Sequence, residues 1–382
     1  VHKAPGPDGI SGAILKYCAR VGAMFLKIIF EQSLNTGDVP QDWRRASVHP
    51  VYKGGNSKQP ENYRPISLTC ICCKLMERIL ASSITTYLEE SSQFSRFQFG
   101  FRKHLSCESQ LIMLCQDTFS SLDQKHSVDL AFIDFSKAFD KVSHYLLIRK
   151  LETYNLDKKV IEWIKEFLFS RTQSVVLDNC HSDEIQVTSG VPQGNVLGPI
   201  LFLLYINDLP GRINCSLRMY ADDVVLYTNV VSDIDSTHKL QTNLDALLQW
   251  CKDWKMTVNV NKCAIMRMSR NKCAAVPKYF FNNLVIPVVE EFKYLGVFIS
   301  NSCSWQRHIQ YVTSRGNQML RFVKRNFKGC PQEVKETVYT SLVRPLIEYA
   351  SCVWDPNAEG MKRNLEMIQR RAARFTLNNY SR

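Results

Sequence analysis

The sequence predicts an α+β fold built on an antiparallel sheet, and three features of the chain point there. Strand and helix patterns are interspersed with hairpins rather than alternating regularly, which disfavours a doubly wound parallel sheet. Two short apolar runs, 217–220 and 224–227, are separated only by Ala221, Asp222 and Asp223, the pattern of a hairpin with two acids at its tip. The segment SVDLAFI (127–133) reads as a strand running straight into a third acid, Asp134.

The remaining elements follow in chain order. KAPGPDGI (3–10) is a Pro/Gly turn in which Asp8 is placed to cap the next helix. That helix carries Ile14, Cys18, Val21, Phe25 and Ile28 at helical spacing and ends at Gly37. Residues 46–52 form a short strand, with Pro50 indicating an edge. Residues 68–90 and 105–120 are helical, and Asp157 caps a helix with Val160, Ile161, Ile164, Phe167 and Leu168 on one face. Segments 174–177 and 185–188 are paired strands, and 190–198 is a Gly/Pro-rich loop. The helix 200–207 beyond it is apolar all round, hence buried. Ile234, Leu240, Leu244, Leu247, Cys251 and Trp254 mark a long amphipathic helix, 292–299 is a strand region, and the chain after Trp305 is helical and basic.

Composition narrows the class. The chain has 382 residues, 45% of them hydrophobic, enough for two or three subdomains around a shared cleft. Of the net charge of +12, eight units lie in residues 302–382, which hold 14 Lys and Arg against 6 Asp and Glu. A basic surface of that kind suits a polyanion such as nucleic acid. The 14 cysteines are scattered, without paired CxxC spacing or a nearby His, so they read as small buried residues of a reducing compartment rather than a zinc site. No signal peptide opens the chain and no apolar run is long enough to span a bilayer. A chain opening on Val1 is expected to be part of a longer polypeptide.

Asp222 and Asp223 alone could be a solvated turn. With Asp134 at the end of a neighbouring strand they become three converging carboxylates, hard oxygen ligands of the kind that suit Mg²⁺. Two such ions can stabilise the attacking and leaving oxygens of a phosphoryl transfer.

The succession DFSKAFD (134–140), SGVPQGNVLGP (189–199), YADD (220–223) and FKYLG (292–296) resembles the reverse transcriptase of non-LTR (LINE-type) retrotransposons. Upstream, KAPGPDGI, WRRASVHPVYK (43–53), NYRPISL (62–68) and QFGFR (98–102) resemble the same family's fingers blocks, and SLVRPLIEYASCVWDP (341–356) resembles the thumb of its jockey and CR1-like branches. The resemblance implies a right-hand polymerase. Its parts would be fingers at 1–126, a ferredoxin-like antiparallel palm at 127–300 with a fingers insertion near 156–178, and a helical thumb at 301–382. It implies an RNA-directed DNA polymerase with Asp134, Asp222 and Asp223 holding two Mg²⁺ ions, or Mn²⁺ in their place. Phe139 matches the steric gate against a ribose 2′-OH, and Gln193 and Gly194 match the loop against the incoming nucleotide. Lys53 and Arg64 match triphosphate-gripping positions, and Lys262 a lysine that would protonate the leaving pyrophosphate. Phe292, Tyr294, Leu295 and Gly296 match the primer grip. Asn195 departs from the usual Ser, and Tyr220 from the frequent Phe. Asp140 reads as a helix-start charge, and Trp250 and Trp254 as core anchors.

The implied partners are an RNA template, a DNA primer or target and dNTPs, without a membrane. An endonuclease would lie outside this segment, and the location would be a ribonucleoprotein of nucleus and cytoplasm. Two alternatives stand beside this reading: a group II intron-type or domesticated polymerase, disfavoured by the thumb motif, and a decayed copy that only binds RNA, disfavoured by the intact carboxylates.

Overall fold

A computed structural model describes residues 4–178, 180–231, 233–271 and 275–379. Lys3 of the first turn and the side chain of Ile234 lie outside the described residues. The chain divides into two compact units, each assembled from three separate stretches. The first comprises Val1–Phe101, Phe135–Asn214 and Asp245–Asn259, and the second Arg102–Asp134, Cys215–Leu244 and Val260–Arg382. No helix among the described residues is long and apolar enough to cross a membrane.

In the second unit, four antiparallel strands lie in the order Ser216–Tyr220, Asp223–Val230, Ser127–Ile133 and Ala264–Met268. The strand 127–133 is central and nearly all of it is buried. Alternation along it sends Val128, Leu130 and Phe132 to one face, where they pack with Leu111, Leu114 and Leu122 of the helix Cys107–Asp123. The opposite face carries a charge: Asp129, fully buried, receives a two-pronged Arg267 at 2.7 and 2.8 Å and the Tyr279 hydroxyl. The segment 292–299 is two strands rather than one region. Glu291–Tyr294 and Val297–Ser300 form a hairpin because Leu295 (φ 45°) and Gly296 (φ 87°) reverse the chain in the left-handed region, as a two-residue turn requires. Beyond it the long helices Gln306–Asn326 and Glu359–Thr376 pack together around Leu320, Val323, Ile368 and Phe375.

The first unit holds a second sheet. The strand Arg45–Tyr52 pairs with Tyr63–Leu68 over Ser47 to Tyr52 and with Thr172–Leu177 over Arg45 to Val48. Only Ser47 and Val48 therefore have a partner on both sides, and Pro50 falls where there is a partner on one side only, so that the missing N–H costs nothing. Thr172–Leu177 pairs with Ile185–Gln186. The apolar helix Leu197–Ile206 is buried from Leu201 to Ile206, packed by the helices Ile71–Glu90 and His144–Glu152. Asp157 caps Lys158–Phe169, accepting from the Lys159 amide at 2.8 Å.

Two expectations near the start need correction. Ser11, not Asp8, caps the first helix, because Asp8 accepts from Ile10 inside the turn. The helix is also broken at Cys18 into Gly12–Tyr17 and Ala19–Thr36, and its apolar stripe stays exposed: Val21, Phe25 and Ile28 are each about 60% open. Periodicity located the face, and no described segment covers it.

Truncating Asp129 to Ala strands a buried guanidinium, so unfolding in urea should show a loss of about 3–5 kcal/mol. Replacing Asp129 and Arg267 together by Leu and Met should cost far less. Equal losses for the single and double variants would mean the pair is not the source.

Candidate active site

The carboxylates are brought together by strand register within the second unit. The central strand pairs with 223–230 so that Ile133 faces Val224, and Asp134, the next residue, is near enough to Asp223 for its charge to act on that carboxyl. The hairpin is closed by Ala221 and Asp222 alone, with Tyr220 paired to Asp223. Ala221 is buried and holds φ 52°, a conformation glycine would adopt without strain. The electrostatics reflect the crowding. Burial, then the charges of Asp222 and Asp134, push the Asp223 carboxyl up to about 6. Asp223 keeps more than a third of its surface open, so this shift weighs less energetically than it would in a sealed core. Burial also raises Asp134, and the neighbouring positive charge of Lys262 partly relieves it. The Asp134 amide donates to the Cys263 sulfur at 3.4 Å.

Among the described residues, no group of three His, Cys, Asp or Glu side chains closes tightly enough to hold a metal by protein ligands alone. An open set of mutually repelling carboxylates is nevertheless what a hard dication suits when waters and substrate phosphates complete its shell.

The hairpin 291–300 belongs to the same unit. Phe292 stacks on Phe132 at 4.2 Å, and buried Tyr294 receives a hydrogen bond from Gln110 at 2.9 Å. These two rings anchor the hairpin, which leaves Leu295 and Gly296 at its tip.

A second constellation forms in the first unit. Gln193 donates through its side chain to Asp140 at 3.0 Å, and its carbonyl accepts from Ser67 at 2.7 Å. Gly194 (φ 108°) lies so close to the strand that an added Cβ would sit 2.9 Å from the Ser67 carbonyl. The glycine is therefore required by protein backbone as well as by any approaching ligand. Arg64 pairs across from Val51 and the Lys53 amide bonds to Asn62, so the register puts both basic residues on the hairpin face shared by Ile66, whose methyl flanks Gly194. Both are exposed, and neither makes an ion pair among the described residues. Phe139 is half-buried, its ring stacked on Phe202 at 4.3 Å.

Several functional contacts were not foreseen. Asp140 is more than a helix-start charge. Burial raises its pKa, while the Gln193 hydrogen bond and the charges of Lys137 and Lys53 ease it. Its carbonyl also accepts from Ser189 at 3.0 Å, and Gly190 packs on its backbone. The second acid of DFSKAFD was the available signal. Glu77, fully buried, accepts from the Val196 and Leu197 amides at 2.8 and 3.0 Å and so caps the apolar helix behind the loop. Asn195 is buried and accepts from Gly198 at 2.9 Å, a capping role serine could also fill. Trp250 is buried against Phe135 and donates to Asp208 at 3.0 Å; the Lys150 ammonium lies 3.7 Å from the Trp254 ring centre.

Comparison with known proteins identifies the family. The chain belongs to the reverse transcriptase (RNA-dependent DNA polymerase) family, whose pattern matches residues 53–299. It is 28% identical over 98% of its length to the RNA-directed DNA polymerase from mobile element jockey of Drosophila melanogaster, covering 42% of that protein. It is also 28% identical to the probable RNA-directed DNA polymerase from transposon BS of the same fly, over 98% of this chain and 43% of that protein. The chain thus spans less than half the length of these non-LTR relatives. Apo telomerase from Candida tropicalis shares its fold, with a TM-score of 0.54 at 12% identity over 94% of this chain and 63% of that one. The α+β architecture is that of a right-hand polymerase.

Because the fold disfavours a charged Asp223, this group's unfavourable contribution is complete above about 6 and fades as pH falls towards 3.8. Asp223→Asn should therefore raise the metal-free unfolding free energy, and with it the midpoint, at neutral pH, by on the order of 1 kcal/mol after solvent screening, and flatten the gain on acidification. A lowered midpoint would mean the three acids are not repelling one another.

Proposed function

We propose that this chain is the polymerase core of a jockey-type non-LTR element, extending a DNA 3′-OH with dNTPs along an RNA template. The observation that carries the reading is the register that sets Asp134 against Asp223 beside Asp222. Two Mg²⁺ ions, or Mn²⁺, bound there would neutralise triphosphate charge and lower the pKa of the attacking hydroxyl.

The chain's own residues supply the rest. Lys53 and Arg64 offer exposed positive charge to phosphate oxygens, the Arg fork matching two of them at once. Gln193 and Gly194 form a rigid floor for the nucleotide, because Asp140 and Ser67 hold that loop from below. Phe139, braced by Phe202, excludes a ribose 2′-OH. Lys262, beside Asp134, is placed to donate a proton to departing pyrophosphate. The Leu295–Gly296 turn contacts the primer end. In this reading residues 1–126 are fingers, 127–300 palm and 301–382 thumb, with the helix Cys107–Asp123 serving the palm because Leu111, Leu114 and Leu122 pack on its sheet. The basic tail holds the RNA–DNA duplex, the endonuclease lies in another part of the polypeptide, and the particle works as a ribonucleoprotein of nucleus and cytoplasm.

Primer extension on poly(rA)/oligo(dT) tests the activity. The wild-type chain should extend, and Asp222→Asn should abolish extension while leaving template binding intact. A wild-type chain that binds the duplex without extending it would favour the RNA-binding remnant. Extension by the variant near the wild-type rate would remove the carboxylate assignment.

Phe139→Val should raise rGTP relative to dGTP incorporation by roughly ten- to a hundredfold in kcat/KM, the scale of relieving one buried clash. An unchanged ratio would leave Phe139 as packing for Phe202.

A further inference from the structure

The segment SLVRPLIEYASCVWDP (341–356) has no part in the chemistry so far, yet the structure ties it to the site. The helix Arg344–Glu348 ends at Tyr349, and Ala350 follows in the left-handed region (φ 54°, ψ 28°) although it is fully buried and not glycine. Two hydrogen bonds hold that break. The Ala350 amide donates to Glu108 at 2.8 Å, and the buried Trp354 indole donates to the Tyr349 carbonyl at 2.8 Å.

The Tyr349 side chain reaches the tip of the hairpin. The Tyr349 hydroxyl donates to the Leu295 carbonyl at 2.9 Å, and its ring covers Gly296, where an added Cβ would lie 3.0 Å from the ring edge. Cys107, at the start of the helix Cys107–Asp123, lies beside both Tyr349 and Tyr220. Tyr220 is the residue just before Ala221, Asp222 and Asp223. A run of neighbouring side chains therefore leads from the Leu295–Gly296 turn through Tyr349 and Cys107 to Tyr220 on the strand before the carboxylates, all within one compact unit.

We propose that Tyr349 is a positioning residue that fixes the Leu295–Gly296 turn, and with it the primer 3′ end, relative to the Tyr220–Asp223 hairpin. The proposal rests on the reading of that turn as the primer contact. Tyr349 does not touch the reacting atoms; it sets how far the turn can drift from them. A loosened turn would slow addition to a matched terminus, which needs one geometry, more than addition to a mismatched terminus, which is already displaced. A residue that only stabilised the fold would scale both alike.

The test uses single-nucleotide extension from matched and mismatched primers, comparing wild type, Tyr349→Phe and Leu295→Ala. Tyr349→Phe keeps the ring on Gly296 and removes one hydroxyl from a residue that is 40% exposed, so the protein should fold normally. The expected result is a loss of about three- to tenfold in kcat on the matched primer, the scale of one hydrogen bond, with an unchanged KM for dNTP and a narrowed matched-to-mismatched ratio. Leu295→Ala should narrow the ratio in the same way. Narrowing in Leu295→Ala but not in Tyr349→Phe would overturn the role of Tyr349 alone. An unchanged ratio in both would overturn the primer-contact reading and the proposal with it. Equal losses on both primers, together with a lowered unfolding midpoint, would assign Tyr349 to stability.

Discussion

The pairing of strand 127–133 with strand 223–230 is the constraint on which the site depends. Seven consecutive residue pairs fix the register, and Leu130, Ala131 and Phe132 within it are almost fully buried. Slipping by one residue would turn the Val128–Leu130–Phe132 face outward and bring Asp129 into the apolar core. The core thus enforces the register, and the register delivers Asp134 to Asp223 whatever repulsion results. Ala221 at φ 52° and the raised Asp223 carboxyl are the local costs of an arrangement that a globular core alone would not select.

A similar logic governs the loop 190–198. Its neighbours grip it from several sides: Asp140 takes the Gln193 side chain, Ser67 its carbonyl, and Glu77 the amides that open the helix Leu197–Ile206. The helix is uniformly apolar, so it cannot orient itself by an amphipathic face. Its direction comes from burial on all sides and from a capped N-terminus. Burial raises the Glu77 pKa even though both amides and Arg171 favour the anion, the signature of a carboxylate kept in the interior for its hydrogen bonds.

What the sequence made legible was short in range. A strand ending in an acid, a hairpin carrying two more, an Asp cap before an amphipathic helix and an apolar helix after a Gly/Pro loop are all local patterns, and each is present in the structure. What it hid was of two kinds. Turn conformation was missed where ordinary residues take positive φ: Leu295 does not announce a reversal as Asn or Asp would, so two strands read as one. Partners far apart in sequence were missed as well. Glu77 meets Leu197, 120 positions later, and Glu108 meets Ala350, 242 positions later, and no period within either segment encodes such a meeting. The stripe at Val21, Phe25 and Ile28 shows the converse limit, since helical spacing identifies an apolar face without saying what buries it.

These long-range contacts share a form: a side chain from one motif bonds the backbone of another. Glu77 acts this way on the loop, Ser189 of the loop on the Asp140 carbonyl, and Tyr349 on the hairpin turn. Backbone acceptors and donors are indifferent to side-chain identity, so each contact constrains only the residue that reaches across. Gly194 and Gly296 are the exceptions, because there the reaching group or strand comes so close that a Cβ would collide with it. The motifs of this chain can then be divided by what they hold. Asp134, Asp222 and Asp223 present charge, whereas the glycines and the residues packed against them keep backbone in place. On the proposed function, a conservative change among the first group should alter chemistry while sparing the fold. Adding a single methyl at either glycine, with every functional group still present, strains a backbone held at positive φ and crowds the Ser67 carbonyl or the Tyr349 ring.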